Sequence, residues 1–349
     1  MSNDTPGLPA ARYGLAALLV VATFAGLAGP LASQELNLAP VVDALEAGNG
    51  PHPGFRRNHS KGVCLAGWFD SNGAGARLSR ASVFTSGRRV EVSGRFALAG
   101  GLPTMSDGPN SVRSMALSFA LPDDETWRTG MNAVPVFPVR DAQGFHDNVI
   151  AITPDPATGK PDPGKIKALL GARPETARAL LLIKAHVFSS GFANATYNSL
   201  NAFRLIDGAG TATAVRWSMV PLDEFAPHPP DKPEARNYLF DALAQRIARG
   251  PMQWRLVLVV GQPGDPTDDA TLPWPPGREK IDAGTLTVTA LQSEAAGNCR
   301  DTNFDPLMLP VGIAPSDDPL LQARSAAYAV SFTRRAREAK TPSAVQIGK

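Results

Sequence analysis

The sequence is short of the residues that usually announce a function. Cysteine occurs only twice in 349 residues, as Cys64 and Cys299. Two thiols cannot make a disulfide framework, and neither belongs to a CxxC or Cys/His cluster of zinc-binding spacing. Sequence leaves open whether they are bonded, because it does not say how closely their backbones approach. Histidine is nearly as scarce, and His52, His146, His186 and His228 are scattered without a metal-ligand pair. An excess of one charge is missing too. Lys and Arg number 34 against 32 Asp and Glu, a net charge of +2. Without a basic stripe, nucleic acid is excluded as the main partner. No GxxxxGK[ST] or GxGxxG loop follows a strand, which removes the commonest phosphate cradles. No GxSxG turn offers a hydrolase nucleophile.

What is abundant is turn chemistry. Glycine and proline each number 32, which favours strands and long connections over a helical bundle. The first 35 residues stand apart. No charged side chain lies between Arg12 and Glu35, and Gly14 to Leu31 is almost wholly apolar or small. Such a run is either an export signal, with cleavage near Ala32-Ser33, or a single membrane anchor of about 20 residues. Residues 1–35 are therefore set aside, and residues 36–349 are expected to form one domain of an exported, periplasmic protein. Contact with a membrane is expected only through the leader, if it is retained.

Along the rest of the chain, a helical pattern at Leu38, Val41, Val42 and Leu45 ends at Gly48-Asn49-Gly50. Residues 63–121 read as strands, including a hairpin of Ser82–Phe84 with Val90–Ser93 about Ser86-Gly87. Residues 151–164 carry four prolines and predict a loop. Helical periodicity follows from Lys165 and again from Glu175 to His186. Asn201–Ile206 and Ala214–Val220 predict a second hairpin about Asp207-Gly208-Ala209-Gly210. Glu234–Arg249 predicts an amphipathic helix stopped by Gly250-Pro251. Trp254–Val260 and Gly284–Leu291 are further strands, and Asp317–Glu338 is the last helix. The five tryptophans read as core or barrel-wall residues. With no internal repeat or flexible linker, the pattern fits one α+β domain built on a barrel or closed sheet.

Three motifs carry chemistry. Arg56-Arg57-Asn58-His59-Ser60-Lys61-Gly62 brings an imidazole into a half-buried strand, three residues after an arginine. Asn132-Ala133-Val134-Pro135-Val136-Phe137 sets one amide in an apolar run. On the last helix, Arg324 and Tyr328 stand four apart and Arg335 seven further on, so all three share a face. A phenol titrates near pH ~10, and a guanidinium one turn away favours its ionised, metal-binding form.

Together the motifs resemble those of haem catalases, from about Pro51 to Arg335. The resemblance is closest to the small catalase-related peroxidases, through Phe304-Asp305-Pro306-Leu307 and Ser316 to Arg335. It implies a catalase-like antiparallel β-barrel core with helical insertions and a C-terminal helix on the proximal side of a b-type haem. Tyr328 would be the axial iron ligand, helped by Arg324. His59 and Asn132 would be catalytic on the distal side. Arg56, Arg95 and Arg335 would bind the propionates, and Phe145 would pack over the haem face. The implied activity is peroxidase: reduction of hydrogen peroxide or an organic hydroperoxide by an unidentified electron donor, with weak catalase activity beside it. Rearrangement of hydroperoxides on the same fold, or haem binding in the cell envelope with little turnover, are the alternatives. Two departures stand out. Ala97 replaces a catalase serine that hydrogen-bonds the distal histidine, so His59 must be oriented from elsewhere. Asn58 replaces an apolar neighbour of that histidine and is expected to make the pocket more polar. The amino-terminal arm and long wrapping segment of larger catalases are lacking, which is expected to shorten the path from solvent to haem.

Overall fold

The computed structural model describes residues 38–229 and 235–347. The expected leader lies outside them. Among the described residues, no helix is long and apolar enough to cross a membrane.

The described residues begin with α1 (Ala39–Asn49), then β1 (Gly62–Ser71), β2 (Arg89–Leu98), β3 (Arg113–Ala120) and β4 (Thr126–Asn132). A helical insert follows, α2 (Ala142–Ile152), α3 (Pro163–Ala172) and α4 (Pro174–Ala185). The second half runs β5 (Tyr197–Asn198), β6 (Phe203–Ile206), β7 (Ala212–Pro221), α5 (Tyr238–Ile247), β8 (Met252–Val260) and β9 (Lys280–Ser293). It ends with β10 (Ile313–Pro315) and α6 (Pro319–Ala336).

The strands pair antiparallel in the order β10-β6-β7-β5-β4-β3-β2-β1-β9-β8, and β8 returns to β7. That return closes eight strands into a barrel and removes the open edges on which sheets aggregate. The α+β barrel expected from the turn-rich sequence is what forms. Alternation decides what faces inwards. Val90, Val92, Phe96 and Leu98 of β2 join Met115, Leu117 and Phe119 of β3 in the barrel core. Trp127, Trp217 and Trp254 complete it, each at most 1% exposed. Two of the indoles keep hydrogen bonds there: Trp217 Nε1 donates to Thr129 Oγ1 at 3.0 Å and Trp254 Nε1 to Ala195 O at 3.2 Å. Trp68 is a barrel-wall residue on β1, partly buried with the Arg89 guanidinium 4.7 Å above its ring.

The outer face of β2 is buried as well at its C-terminal end, at Arg95 and Ala97, whereas on β3 and β4 the outward residues are mostly half-buried. Along β2 the alternation stops at Gly94, after which Arg95 and Ala97 are buried like their inward-facing neighbours. That loss of period marks a strand covered on both faces.

Three local expectations need correction. Ser82–Phe84 is a short 3-10 turn rather than a strand, so the β1–β2 connection is longer than a tight hairpin. The segment begins at Ala81 and closes with Phe84 N donating to Ala81 O. Helix α2, not anticipated, starts at Asp141, whose side chain accepts from Gly144 N. The amphipathic helix expected over Glu234–Arg249 is α5, three turns at most, and Glu234 lies outside the described residues. Helix α6 shows why its sequence folds as it does. Asp318 caps it by accepting from Leu320 N, Pro319 opens it, and Arg334 and Arg335 sit in its last turn, where cations meet the negative end of the dipole.

Candidate active site

A cavity of about 640 Å³ lies against the outer face of β2–β4, and its walls include His59, Arg56, Arg95, Asn132, Phe145, Arg324, Tyr328 and Arg335. All eight residues singled out from sequence meet there, across 279 positions of chain from Arg56 to Arg335. The size is that of a small-molecule or cofactor site.

The floor is set by strand register. Pairing aligns Gly62, Ala97, Ser114 and Asn132 in one row, and Cys64, Arg95, Ala116 and Gly130 in the next. Five of these eight are glycine, alanine or serine, so the floor is shallow. A Cβ at Gly130 would sit 3.2 Å from Arg324 Nη2 and 4.0 Å from Tyr328 Oη. That position therefore brings strand β4 close to helix α6, and a larger side chain would fill the space.

On one side stands His59. Its backbone is left-handed, with φ of 53°. Asn58 holds it there: the Asn58 Oδ1 accepts from His59 N and from Gly100 N, both at 2.9 Å. Asn58 lines the cavity, and its carbonyl also holds the backbone. The ring Nδ1 lies 3.0 Å from Ser114 Oγ, which is 2.5 Å from Asn132 Oδ1. Ser114 thus answers the question left by Ala97, from the neighbouring strand. Burial first, then Arg95, Arg324 and Arg56, push the His59 pKa from 6.5 down to about 3.

On the other side stands α6. Arg324 donates to Asn201 Oδ1 and to Gly130 O, and Asn201 Nδ2 donates to Asp318 Oδ2 at 2.7 Å. The guanidinium carbon is 5.9 Å from the Tyr328 ring centroid. Phe145, on α2, stacks on Phe137 with centroids 6.1 Å apart and planes 16° from parallel.

Three arginines close one end. Burial lowers the pKa of Arg56 well below its ordinary value, with Arg95 and Arg335 adding repulsion. Arg335 is pushed to about 10 by burial and then by Arg95. Glu294, 4% exposed, answers two of them, accepting from Arg95 Nε at 2.6 Å and Arg56 Nη1 at 3.3 Å. Arg56 Nη2 donates to the carbonyls of Cys299 and Thr302, each at 2.8 Å. Arg335 Nε is buried without a partner. Three clustered cations, two of them sharing the Glu294 carboxylate and the third with an orphaned donor, fit a ligand that brings further carboxylates. A shallow floor, a tyrosine beside an arginine and an anion-hungry end fit a haem with its propionates.

Cys64 and Cys299 form a disulfide, so the thiols left open by sequence are bonded. Four functional candidates escaped sequence reasoning: Ser114, Glu294, Asn201 and Asp318. Only Asp318 carried a signal, as a helix cap ahead of Pro319. Ser114 becomes visible once β2 and β3 are set in register.

Barrel, cavity and side chains together define an oxidoreductase of the kind that handles peroxide at a haem. The chain belongs to the catalase family, whose family model, Catalase, matches residues 25–341. A catalase-related peroxidase of Synechococcus elongatus is 38% identical over 299 residues, which is 85% of this chain and 88% of that one. A second, of Mycolicibacterium paratuberculosis, is 31% identical over 84% of this chain and 93% of its own. The catalase of Pseudomonas syringae is 27% identical, and the match spans 61% of its length. Among solved structures, a fungal catalase superposes with a TM-score of 0.72 at 20% identity, covering 89% of this chain and 64% of that one. A bacterial catalase gives 0.72 at 18% identity, covering 93% and 67%. These two likenesses establish the fold.

Proposed function

We propose that the protein reduces hydrogen peroxide, and organic hydroperoxides, as a haem b peroxidase drawing electrons from an external donor. The observation that carries this reading is one cavity in which His59 and Asn132 are joined through Ser114 and share the walls with Tyr328 and Arg324. Bound haem supplies the redox chemistry. The chain supplies position, protons and charge.

Tyr328 would hold the iron through its phenol oxygen, with the Arg324 guanidinium beside its ring. Arg335, Arg95 and Arg56 would receive the propionates. His59, neutral because it is buried, has a ring nitrogen free to accept a proton from bound peroxide and return it to the departing oxygen. Asn132 holds the peroxide by a hydrogen bond from its amide. Phe145 and Phe137 keep the neighbouring wall apolar, which excludes water.

Export is part of the proposal. The charge-free run from Tyr13 to Gln34 supports it, and so does the Cys64–Cys299 bond, since disulfides persist in oxidising compartments. A reporter fused after residue 40 is expected outside the cytoplasm.

The decisive experiment compares two substitutions. His59→Ala should bind haem normally and lose peroxide cleavage by roughly 10²–10⁴-fold, the usual share of a positioned acid–base group. Tyr328→Phe keeps the ring and should change both the haem spectrum and haem affinity. Haem titration and stopped-flow mixing with peroxide measure the two effects. Wild-type cleavage in His59→Ala, or an unaltered spectrum in Tyr328→Phe, would sink the reading.

A further inference from the structure

The Ser114 hydroxyl has one proton and two neighbours that want a bond. Its Oγ lies 3.0 Å from His59 Nδ1 and 2.5 Å from Asn132 Oδ1. The two lengths differ in kind. A separation of 2.5 Å suits O–H···O and is too short for an ordinary N–H···O, whereas 3.0 Å is the usual N–H···O length. The amide group facing Ser114 is therefore the carbonyl of Asn132. A carbonyl brings no proton, so the hydroxyl must donate to it. Having spent its proton, Oγ offers Nδ1 only a lone pair, and Nδ1 must carry the hydrogen. In a neutral imidazole that leaves Nε2 bare.

We propose that Ser114 is a positioning residue that couples His59 to Asn132 through this single hydroxyl proton, fixing His59 as the Nδ1-H tautomer and turning the Asn132 amide nitrogen into the cavity. The proposal rests on the peroxidase reading only for its kinetic consequence; the proton arrangement stands without it. With the opposite order, Asn132 would donate to Ser114, Ser114 to Nδ1, and Nε2 would already be protonated. His59 would then be unable to take a proton from a bound peroxide. One hydroxyl thus sets both the base and the hydrogen-bond donor of the site.

The strand register explains why Ser114 has this task. It is the cross-strand partner of Ala97 on one side and of Asn132 on the other. Paired side chains lie on one face about 4.5–5.5 Å apart at Cβ. Ala97 presents only a methyl group, so the oxygen that orders His59 comes from β3. Ser114 is 7% exposed, which keeps bulk water from replacing it. The His59 backbone, clamped by Asn58, aims the ring at this oxygen. Burial and the neighbouring arginines favour the neutral ring, for which one of the two tautomers must be chosen.

Neutron diffraction from deuterium-exchanged crystals of the full chain reads the arrangement directly. Deuterium is expected on His59 Nδ1 and not on Nε2, with the Ser114 deuteron pointing at Asn132. Deuterium on Nε2 instead, or an Asn132 amide turned round, would overturn the proposal. Kinetics supply the second arm. Ser114→Ala should load haem as the parent does, keep KM, and lose roughly 10–10²-fold in kcat, as when the orienting partner of a histidine is removed. Ser114→Thr, which keeps the hydroxyl, should recover to within a few-fold. Equal loss in Ser114→Ala and Ser114→Thr, or wild-type kcat in Ser114→Ala, would count against the coupling. If deuterium sits on Nδ1 but the parent cleaves no peroxide, the proposed function fails and the tautomer assignment survives.

Discussion

At His59, a left-handed backbone is used where no glycine relieves it, with φ of 53°. Strain of this sort costs about 1–3 kcal/mol and persists only when neighbours over-determine it. Here Asn58 does so, through two backbone bonds of 2.9 Å. The ring is also buried among cations, which takes its pKa from 6.5 down to about 3. The sign of the consequence follows. Between those two values the unfolded chain binds a proton that the folded chain refuses. Stability is therefore full above pH 6.5 and falls as pH drops towards 3. His59→Gln, which cannot titrate, should lack this part of the acid sensitivity in denaturant titrations at pH 7, 5 and 4. By the same shift, kcat/KM should show no acid limb near pH 6.5, and a midpoint between 6 and 7 would refute the buried neutral base. At this scale the sequence was half legible. His59 stands in a readable motif, whereas Ser114 is one serine among many until strand pairing sets it beside Ala97. Glu294 is hidden for a similar reason, because it lies 199 residues from the Arg95 it holds.

Four elements converge on the arginines: the segment before β1 brings Arg56, β2 brings Arg95, α6 brings Arg335, and the residue following β9 is Glu294. Such a group is stable only while its charges are answered, and Glu294 is the one carboxylate within reach of two of them. Glu294→Gln should keep a hydrogen bond and lose the charge. Without haem, its stability is expected to fall by about 3–5 kcal/mol, the range for breaking a buried pair. With haem the deficit should shrink, because the propionates answer the same cations. Urea unfolding of both forms measures the difference, and an equal deficit with and without haem would mean that the arginines do not meet the propionates. Element types were legible where period was strong. Helix α6 and the β6–β7 hairpin follow from their pattern, since one face of each is apolar. Helix α2 is hard to read because a glycine, Gly144, stands in its first turn and its start rests on the Asp141 cap. Ser82–Phe84 misled because Val83 and Phe84 are apolar for packing into the core, each 0% exposed, rather than for strand alternation.

For the molecule as a whole, barrel closure brings distant segments to one wall, and the disulfide fastens one of them. Cys64 lies in β1 and Cys299 in a 3-10 turn, 235 residues apart. The turn supports the candidate site, because its carbonyls hold two of the arginines that line the cavity. Arg56 Nη2 donates to Cys299 O and Thr302 O, and Arg335 Nη2 reaches Thr302 O at 3.3 Å. Cys64 shares its strand row with Arg95, so the bond ties the segment that anchors Arg56 and Arg335 to the strand row of Arg95. Cross-linking so long a loop restrains the unfolded chain, with an expected contribution of about 2–5 kcal/mol. The double substitution Cys64→Ser, Cys299→Ser should therefore lower the denaturation midpoint, while far-UV circular dichroism reports an intact barrel, since the strand ladder does not depend on the bond. Haem affinity should fall with it, because the Cys299–Thr302 carbonyls lose their fixed place and Arg56 and Arg335 lose theirs in turn. Reduction of the parent protein should reproduce both changes, and reoxidation should reverse them. A variant with the parent midpoint and haem affinity would show that the barrel alone holds the turn in place.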